Sequence, residues 1–208
     1  MILIGESINV MSKTLGPALR ERNPKPVQDM ALAELKGGVD YLDLNIGPAR
    51  RGGDELMKWV VNTVQAVTDK PLSLDTTNPV AMEAGLRVCQ SKALVNSVSL
   101  QPDRLAAGLP LVKKYNASMI GLLWGKDGMP RDANERCLHT VDLVYQASEM
   151  GISNEDIWID PEEEKFPGDG NDRDEEKQPE RGERVYDMRT VNFFRLDLFS
   201  GERFVVLD

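Results

Sequence analysis

The chain has 208 residues and carries 34 acidic against 25 basic side chains, a formal net charge of -9. This acidic balance argues against a nucleic-acid groove, which needs clustered Lys and Arg to contact phosphates. No apolar stretch of the sequence reaches the roughly 20 residues that cross a bilayer, and the first residues, MILIGESINV, lack the basic flank of a signal peptide. We therefore expect a cytoplasmic protein that binds neither nucleic acid nor membrane.

Strands and helices are predicted to alternate along the first 160 residues. Short apolar runs predict six strands, and amphipathic segments of helical length lie between them. The predicted strands are residues 2–5, 41–45, 71–75, 93–97, 118–124 and 157–160, and the predicted helices are residues 26–36, 54–68, 79–90, 103–115 and 134–150. Asn78 before Pro79 is typical of a helix start, with a capping residue followed by proline at the first helical position.

This alternation predicts parallel strands joined by right-handed helical crossovers. A barrel fits better than an open doubly wound sheet, because the GxGxxG loop of nucleotide-binding open sheets does not follow the first strand. The open sheet remains the alternative. A complete (β/α)8 barrel takes about 250 residues, and the pattern contains about six β/α units. We therefore expect an α/β fold of the (β/α)8 TIM-barrel type that is incomplete.

The composition changes at Pro161. All five phenylalanines of the chain lie beyond it, whereas alanine and isoleucine do not occur there. Residues 162–208 hold 14 acidic and 8 basic side chains, with too little apolar surface in their first half to offset the ordering entropy. We expect two units. The barrel occupies residues 1–161, and an unrelated, acidic, partly disordered tail occupies residues 162–208, with a hairpin at residues 191–207.

Polar side chains stand where the predicted strands end. Asp43 and Asn45 close the second strand, Asp75 the third, Asn96 the fourth and Asp160 the sixth. The carboxyl ends of parallel strands meet at one face of a barrel, where barrel enzymes carry their active sites. The pattern therefore predicts a polar site at this face. For Asp75 and Asn96, helix capping is the alternative role.

The cysteines and the single histidine give weaker signals. Cys89 and Cys137 fall in predicted helices without metal-ligand spacing, which indicates reduced thiols with a packing role. His139 also lies in a predicted helix, and no partner follows from its spacing, so we expect a packing or surface position. The acidic stretch DGNDRDEE is not a calcium loop, because Arg173 stands where a ligand is needed. We expect this chain to bind no metal.

Six motifs, in order along residues 1–161, resemble the pterin-binding barrel family. They are IGESIN at residues 4–9, YLDLNIGP at 41–48, LSLDTTN at 72–78, LVNSVS at 94–99, IGLLWGKDGMPRD at 120–132 and WIDP at 158–161. Within that family, the motifs are most similar to those of the methyltetrahydrofolate:corrinoid protein methyltransferases. The resemblance does not extend beyond Pro161.

The resemblance implies a barrel whose C-terminal mouth holds the pterin ring of a folate through Asp75, Asn96 and Asp160. The chemistry agrees, because the 2-amino-4-oxo edge of a pterin presents N–H donors beside a carbonyl acceptor and so needs carboxylates together with a carboxamide. Other groups are expected around this mouth, either touching the ligand or supporting those that do: Glu6, Asn9, Asp43, Asn45 and Lys126. For Lys126, a solvated position in its loop is the alternative.

The reaction implied by the resemblance is transfer of the N5-methyl group of methyltetrahydrofolate to, or from, the cobalt of a corrinoid (cobalamin) carried by a partner protein. Relatives act as homodimers. They assist departure of the methyl group with an Asn after strand seven, and Asn192 in VNFFR does not resemble that motif, so the catalytic residue is unknown. Two alternatives remain open: a dihydropteroate synthase-like enzyme of folate biosynthesis, and a truncated or frameshifted pterin-binding barrel without activity.

Overall fold

The computed structural model describes residues 2–160 and 205–207. Its strands β1 to β7 are Leu3–Asn9, Tyr41–Asn45, Leu72–Asp75, Leu94–Ser99, Ser118–Leu122, Ile157–Asp160 and Val205–Leu207. Its helices α1 to α6 are Leu15–Glu21, Pro24–Lys36, Gly53–Gln65, Pro79–Leu86, Pro102–Tyr115 and Ala133–Glu149, and a short 3-10 turn spans Asn154–Asp156. Within these described ranges, no helix is long and apolar enough to cross a membrane.

All strands run parallel in one sheet of order β6-β5-β4-β3-β2-β1-β7. The first six strands therefore lie beside their neighbours in sequence. A doubly wound sheet instead reverses its order at a switch point near the first strand. The open-sheet alternative is wrong, and the incomplete (β/α)8 barrel is confirmed.

Three of the six described helices, α2, α4 and α6, begin at a side-chain cap. The Asn78 side chain accepts hydrogen bonds from the backbone N–H groups of Val80 and Ala81, at 3.0 and 3.4 Å, at the start of α4. At the start of α6, Asp132 accepts from the Glu135 N–H at 2.9 Å. These bonds satisfy donors that the first helical turn leaves unpaired. The predicted start of α4 at Asn78 and Pro79 is therefore confirmed, whereas the cap at Asp132 was not predicted.

Several boundaries differ from the sequence expectation. β1 continues to Asn9, although the apolar run ends at Gly5, because hydrogen bonds to β2 extend the pairing past polar residues. Helix α1, Leu15–Glu21, was not expected, and it buries Leu15 and Leu19. Helix α4 ends at Leu86 and strand β5 at Leu122, both earlier than predicted.

The tail expectations concern residues that the structure mostly leaves undescribed. The boundary at 161–162, the disordered character of the tail and the hairpin at residues 191–207 fall outside the described ranges, apart from residues 205–207. These last residues form β7, which pairs in parallel with β1: Leu3 faces Val205 and Gly5 faces Leu207. The division of the chain into two units therefore stays a prediction.

The two faces of the sheet carry different side chains. On the face toward the helices, alternate strand residues join a large apolar core; they are Leu42, Leu44, Leu72, Leu74, Val95, Met119, Ile157 and Ile159. On the opposite face, Ile4, Leu94, Ile120 and Trp158 form a second apolar cluster with Tyr41 packed against it. The second face is the barrel interior. Its apolar cluster lies toward the starts of the strands, so its remaining volume lies toward their carboxyl ends.

Candidate functional site

A row of polar side chains crosses four adjacent strands at the barrel mouth: Asn9, Asn45 and Asp75 end β1, β2 and β3, and Asn96 lies three residues before the end of β4. The pairing register places Asn9 opposite Asn45, Asn45 opposite Asp75, and Asp75 opposite Asn96. All four side chains are partly exposed. They continue the interior face above the apolar cluster, because side chains two residues apart on a strand share a face. The structure thus brings together four of the predicted site residues in one row at the mouth.

Asp43 lies one layer below this row and is buried, with 2% of its surface exposed. Its Oδ1 accepts hydrogen bonds from the Ser73 hydroxyl at 2.5 Å and from the Asn96 amide at 3.2 Å. The second of these bonds fixes the Asn96 carboxamide by its Nδ2. The Asn96 Oδ1 is the end of the group that faces away from Asp43, so Asp43 supports Asn96 from beneath.

Asp75 is fixed in a similar way by its neighbour on β2. The Asn45 Nδ2 donates to the Asp75 carboxylate, and the Asn45 Oδ1 accepts from the Gly47 N–H at 2.9 Å. The residues that cap the following helices are Asn78 and Gln101. The capping alternative for Asp75 and Asn96 is therefore wrong, and both side chains face the interior row.

Two neighbouring carboxyl groups in this site have raised pKa values. The pKa of Asp43 is raised to about 7: burial is the main cause, the negative charges of Asp75 and Glu34 add to it, and hydrogen bonds from Ser73 and Asn96 oppose it. Burial also raises the pKa of Asp75 to about 6, against the attraction of the Arg104 guanidinium. Two carboxylates this close in a dry site resist double ionisation. Between about pH 4 and about pH 6, the pair therefore keeps protons that an exposed aspartate has already released.

The arrangement can bind a planar ligand that offers both donors and acceptors along one edge. A carboxylate oxygen accepts only, whereas an asparagine amide offers an acceptor and a donor group. Asp75 and Asn96 stand side by side. Asn45 already holds the Asp75 Oδ2, and Asp43 already holds the Asn96 Nδ2. Groups whose orientation is set before binding lose little entropy on binding. The row is thus a preorganised acceptor and donor surface.

The remaining predicted site residues lie apart from this row. Asp160 ends β6 opposite Leu122, two strands beyond Asn96 across the sheet. Glu6 lies in β1, below Asn9 and partly exposed. Lys126 is exposed in the turn that Gly125 and Gly128 close, on the wall of a cavity of about 560 Å³ that Arg131 and His139 also line.

Three residues of the site were missed by sequence reasoning. Ser73 donates to Asp43, Arg104 attracts the charge of Asp75, and the Thr76 hydroxyl donates to the Gly47 carbonyl at 2.6 Å. The alternation of LSLD does carry a signal for Ser73, because it places a small polar residue on the same face as Asp75. Arg104 lies in α5, and only the tertiary structure brings its charge near Asp75.

Histidine and cysteine lie outside the row. His139 packs against Gly125, and its Nδ1 lies 3.1 Å from the Leu123 carbonyl oxygen, as expected of a packing residue. Cys89 is half-buried just after α4, whereas Cys137 is exposed on α6, so the packing expectation is wrong for Cys137. Within residues 2–160 and 205–207, no group of three His, Cys, Asp or Glu side chains is placed to hold a metal ion.

The sequence matches known proteins over a region that includes β2 to β6 of the barrel. The family described as pterin binding enzyme matches residues 6–179. A methylcorrinoid:tetrahydrofolate methyltransferase from Eubacterium limosum is 28% identical over 163 residues, which cover 77% of this chain and 60% of that protein. A methionine synthase from Mycobacterium leprae (strain TN) is 25% identical over 167 residues, 77% of this chain but 14% of that protein. The chain thus spans three fifths or less of these curated relatives.

Solved structures share the fold. A dihydropteroate synthase from Xanthomonas albilineans with 4-aminobenzoic acid superimposes with a TM-score of 0.58 at 22% identity, covering 77% of this chain and 59% of that one. The dihydropteroate synthase of Thermus thermophilus gives a TM-score of 0.54 at 20% identity, covering 77% of this chain and 58% of that one. At this identity, the likeness concerns the fold.

Proposed function

We propose that this chain, which belongs to the family of pterin-binding enzymes, binds methyltetrahydrofolate. We also propose that it takes part in methyl transfer between that folate and the cobalt of a corrinoid protein. The observation that carries the proposal is the interior row at the barrel mouth, in which Asp75 and Asn96 stand side by side. The similarity to a methylcorrinoid:tetrahydrofolate methyltransferase supports the choice of reaction.

In the proposed complex, the pterin edge lies across the row. The Asp75 carboxylate and the Asn96 carboxamide contact this edge, and the Asp160 carboxylate approaches the ring from the β6 side of the mouth. Asn45 and Asp43 hold Asp75 and Asn96 in place through the hydrogen bonds described above. Charge-assisted hydrogen bonds of this kind are roughly twice as strong as neutral ones. The preference for a pterin over ligands without N–H donors on this edge therefore depends on the carboxylate acceptors of the row.

The proposed reaction moves a methyl group as a cation equivalent. In the forward direction, the electron pair of Co(I) forms the new bond to the methyl carbon, while the electron pair of the N5–CH3 bond remains on N5 and takes up a proton. N5 leaves poorly unless it gains positive character, so a proton or hydrogen bond at N5 must strengthen as the methyl departs. The corrinoid protein supplies the cobalt as a second substrate. We also propose that the present protein acts as a homodimer.

Ligand titration tests the first half of the proposal. Asp75→Asn keeps the shape and an acceptor for Asn45 but removes the charge, and a hydrogen bond to a charged group contributes about 1.5 to 3 kcal/mol. We expect the Kd for methyltetrahydrofolate to rise by roughly ten- to a hundredfold. Asp69→Asn is the matched control, because Asp69 is exposed in the loop before β3. Failure of the folded wild-type protein to bind the folate would refute the pterin assignment.

Methyl transfer to a reduced corrinoid tests the second half. Turnover by the wild-type protein supports the methyltransferase proposal. Binding without turnover supports the alternative of a pterin-binding barrel without activity. A dihydropteroate synthase activity is the weaker candidate, because the synthase structures resemble this chain at 23% identity or less, which shows the fold alone. That candidate requires condensation of a pterin diphosphate with 4-aminobenzoate, which is measured in the same preparation.

A further inference from the structure

Strand β1 contains one residue more than its neighbour over the same length. Gly5 pairs with Leu42 and Ile8 pairs with Leu44, so two residues of β1 stand opposite one residue of β2. This is the arrangement of a β-bulge, which bends the strand and changes the direction of the side chains beyond it. Bulges of this kind occur where a side chain must point to the other face of its sheet.

The bulge reverses which side chains of β1 face the barrel interior. Ile4 belongs to the interior apolar cluster, whereas Ile8 belongs to the core beneath the helices. These residues are four apart, and in a regular strand they would share one face. Because of the extra residue, Ile8 turns outward and Asn9 comes into register with Asn45 in the interior row. Without the bulge, Asn9 would face the helices.

A carboxylate from helix α2 lies at the bulge. The Oε1 of Glu34 accepts a hydrogen bond from the Ser7 N–H at 2.8 Å. Its Oε2 is buried and makes no hydrogen bond to the described residues. A Cβ added to Gly5 would lie 2.7 Å from the Glu34 Cδ, closer than real Cβ contacts come. The glycine thus leaves the space that the Glu34 carboxylate fills.

We propose that Glu34 is a positioning residue that holds the β1 bulge and so places Asn9 in the interior row. A bulge interrupts the ladder of strand hydrogen bonds, so the Ser7 N–H needs an acceptor from outside the ladder. Glu34 supplies that acceptor to Ser7 from outside the sheet. Burial raises the pKa of Glu34, which agrees with a carboxyl group enclosed by protein. The consequence for ligand binding rests on the proposed function.

The role of Glu34 at the bulge can be measured without any ligand. In Glu34→Ala the Ser7 amide loses its acceptor, so we expect its hydrogen exchange in the NMR spectrum to accelerate by at least about tenfold. Glu34→Gln keeps a side-chain carbonyl oxygen, so the exchange should stay within about threefold of the wild-type rate. Asp29→Ala is the matched control, because Asp29 is an exposed carboxylate on the same helix, and it should leave Ser7 unchanged.

The same variants report on the ligand site. With Asn9 displaced, we expect the Kd for methyltetrahydrofolate to rise about tenfold in Glu34→Ala, while Glu34→Gln and Asp29→Ala stay within about threefold of wild type. Gly5→Ala should resemble Glu34→Ala, because the new methyl group displaces the carboxylate. Adding Gly5→Ala to Glu34→Ala should change the Kd little further, because the Glu34 carboxylate that the new methyl group would contact is already absent.

Each outcome separates this inference from the proposed function. Unchanged Ser7 exchange in Glu34→Ala overturns the role of Glu34 at the bulge. Faster exchange with an unchanged Kd overturns its role in placing Asn9 for the ligand. If wild-type protein binds no folate, the proposed function fails, while Ser7 exchange still decides whether Glu34 holds the bulge. If Glu34→Ala does not fold, Gly5→Ala is decisive, because it displaces the carboxylate without removing it.

Discussion

Substituting Asp43 by asparagine should make the protein more stable at alkaline pH. Asp43 is 2% exposed, and its oxygen accepts from Ser73 and Asn96. A carboxamide has nearly the shape of a protonated carboxyl group and offers the same acceptor oxygen, so Asp43→Asn keeps both hydrogen bonds. It removes the one costly feature of the site, a charge that must be buried when Asp43 ionises.

The size of the effect follows from the pKa of Asp43, which rises from 3.8 to about 7 in the folded protein. Between these values, the folded state holds a proton that the unfolded chain has already released. The free energy of unfolding of the wild-type protein therefore falls as the pH rises through this window. Each pH unit corresponds to about 1.4 kcal/mol, so the full penalty above about pH 7 is at most about 4 kcal/mol.

Urea unfolding from about pH 4 to about pH 8 measures this penalty. The stability difference between Asp43→Asn and wild type should grow in favour of the variant as the pH rises, and level off above about pH 7. Titrating groups that do not interact with Asp43 are common to both proteins and cancel in the difference, while Asp75, relieved of the Asp43 charge, shifts the difference in the same direction. Asp69→Asn is the control, because it removes an exposed carboxylate and leaves the buried charge in place. A difference that does not vary with pH would refute the reasoning.

Three further predictions concern the scaffold and its thiols. Asn78→Ala should destabilise the protein by about 1 to 2 kcal/mol in urea unfolding, since it removes the cap of α4. Gly121→Ala should cost about 1 to 3 kcal/mol in the same assay, because its Cβ would lie 2.1 Å from the Leu143 Cδ2. Cys137 should react fast with Ellman's reagent and Cys89 slowly, since Cys137 is exposed and burial raises the pKa of Cys89 to about 12.

Each of these predictions has its own control. Val80→Ala, at an exposed position in the first turn of α4, should cost much less than Asn78→Ala, and equal losses would contradict the capping argument. In a Leu143→Ala background, the methyl group of Gly121→Ala should be better tolerated, and an undiminished cost would contradict the steric argument. Cys137→Ser should abolish the fast thiol reaction. A persistent fast phase would show that Cys89 is accessible.

Much of the fold and of the candidate site can be predicted from local sequence. The polar residues after apolar runs identified Asp75, Asn96 and Asp160 as strand-end groups. The structure places Asp75 and Asp160 at the last residues of β3 and β6, whereas β4 continues three residues beyond Asn96. This works because side-chain alternation and helix caps depend on neighbours a few residues away. The motif order along residues 1–161 also indicated the pterin-binding family, which the match over residues 6–179 confirms.

The sequence by itself determined that the ends of successive strands would carry carboxylates and amides, because hydrophobic alternation is a local property. Only the tertiary structure decided which of these groups is buried and which faces the mouth. Asp43 and Asn45 look alike in YLDLN, yet Asp43 is enclosed by Ser73 and Asn96 while Asn45 lies in the partly exposed row. Burial, raised pKa values and the β1 bulge with its Glu34 acceptor depend on contacts between distant segments, and those contacts form only when the chain has folded.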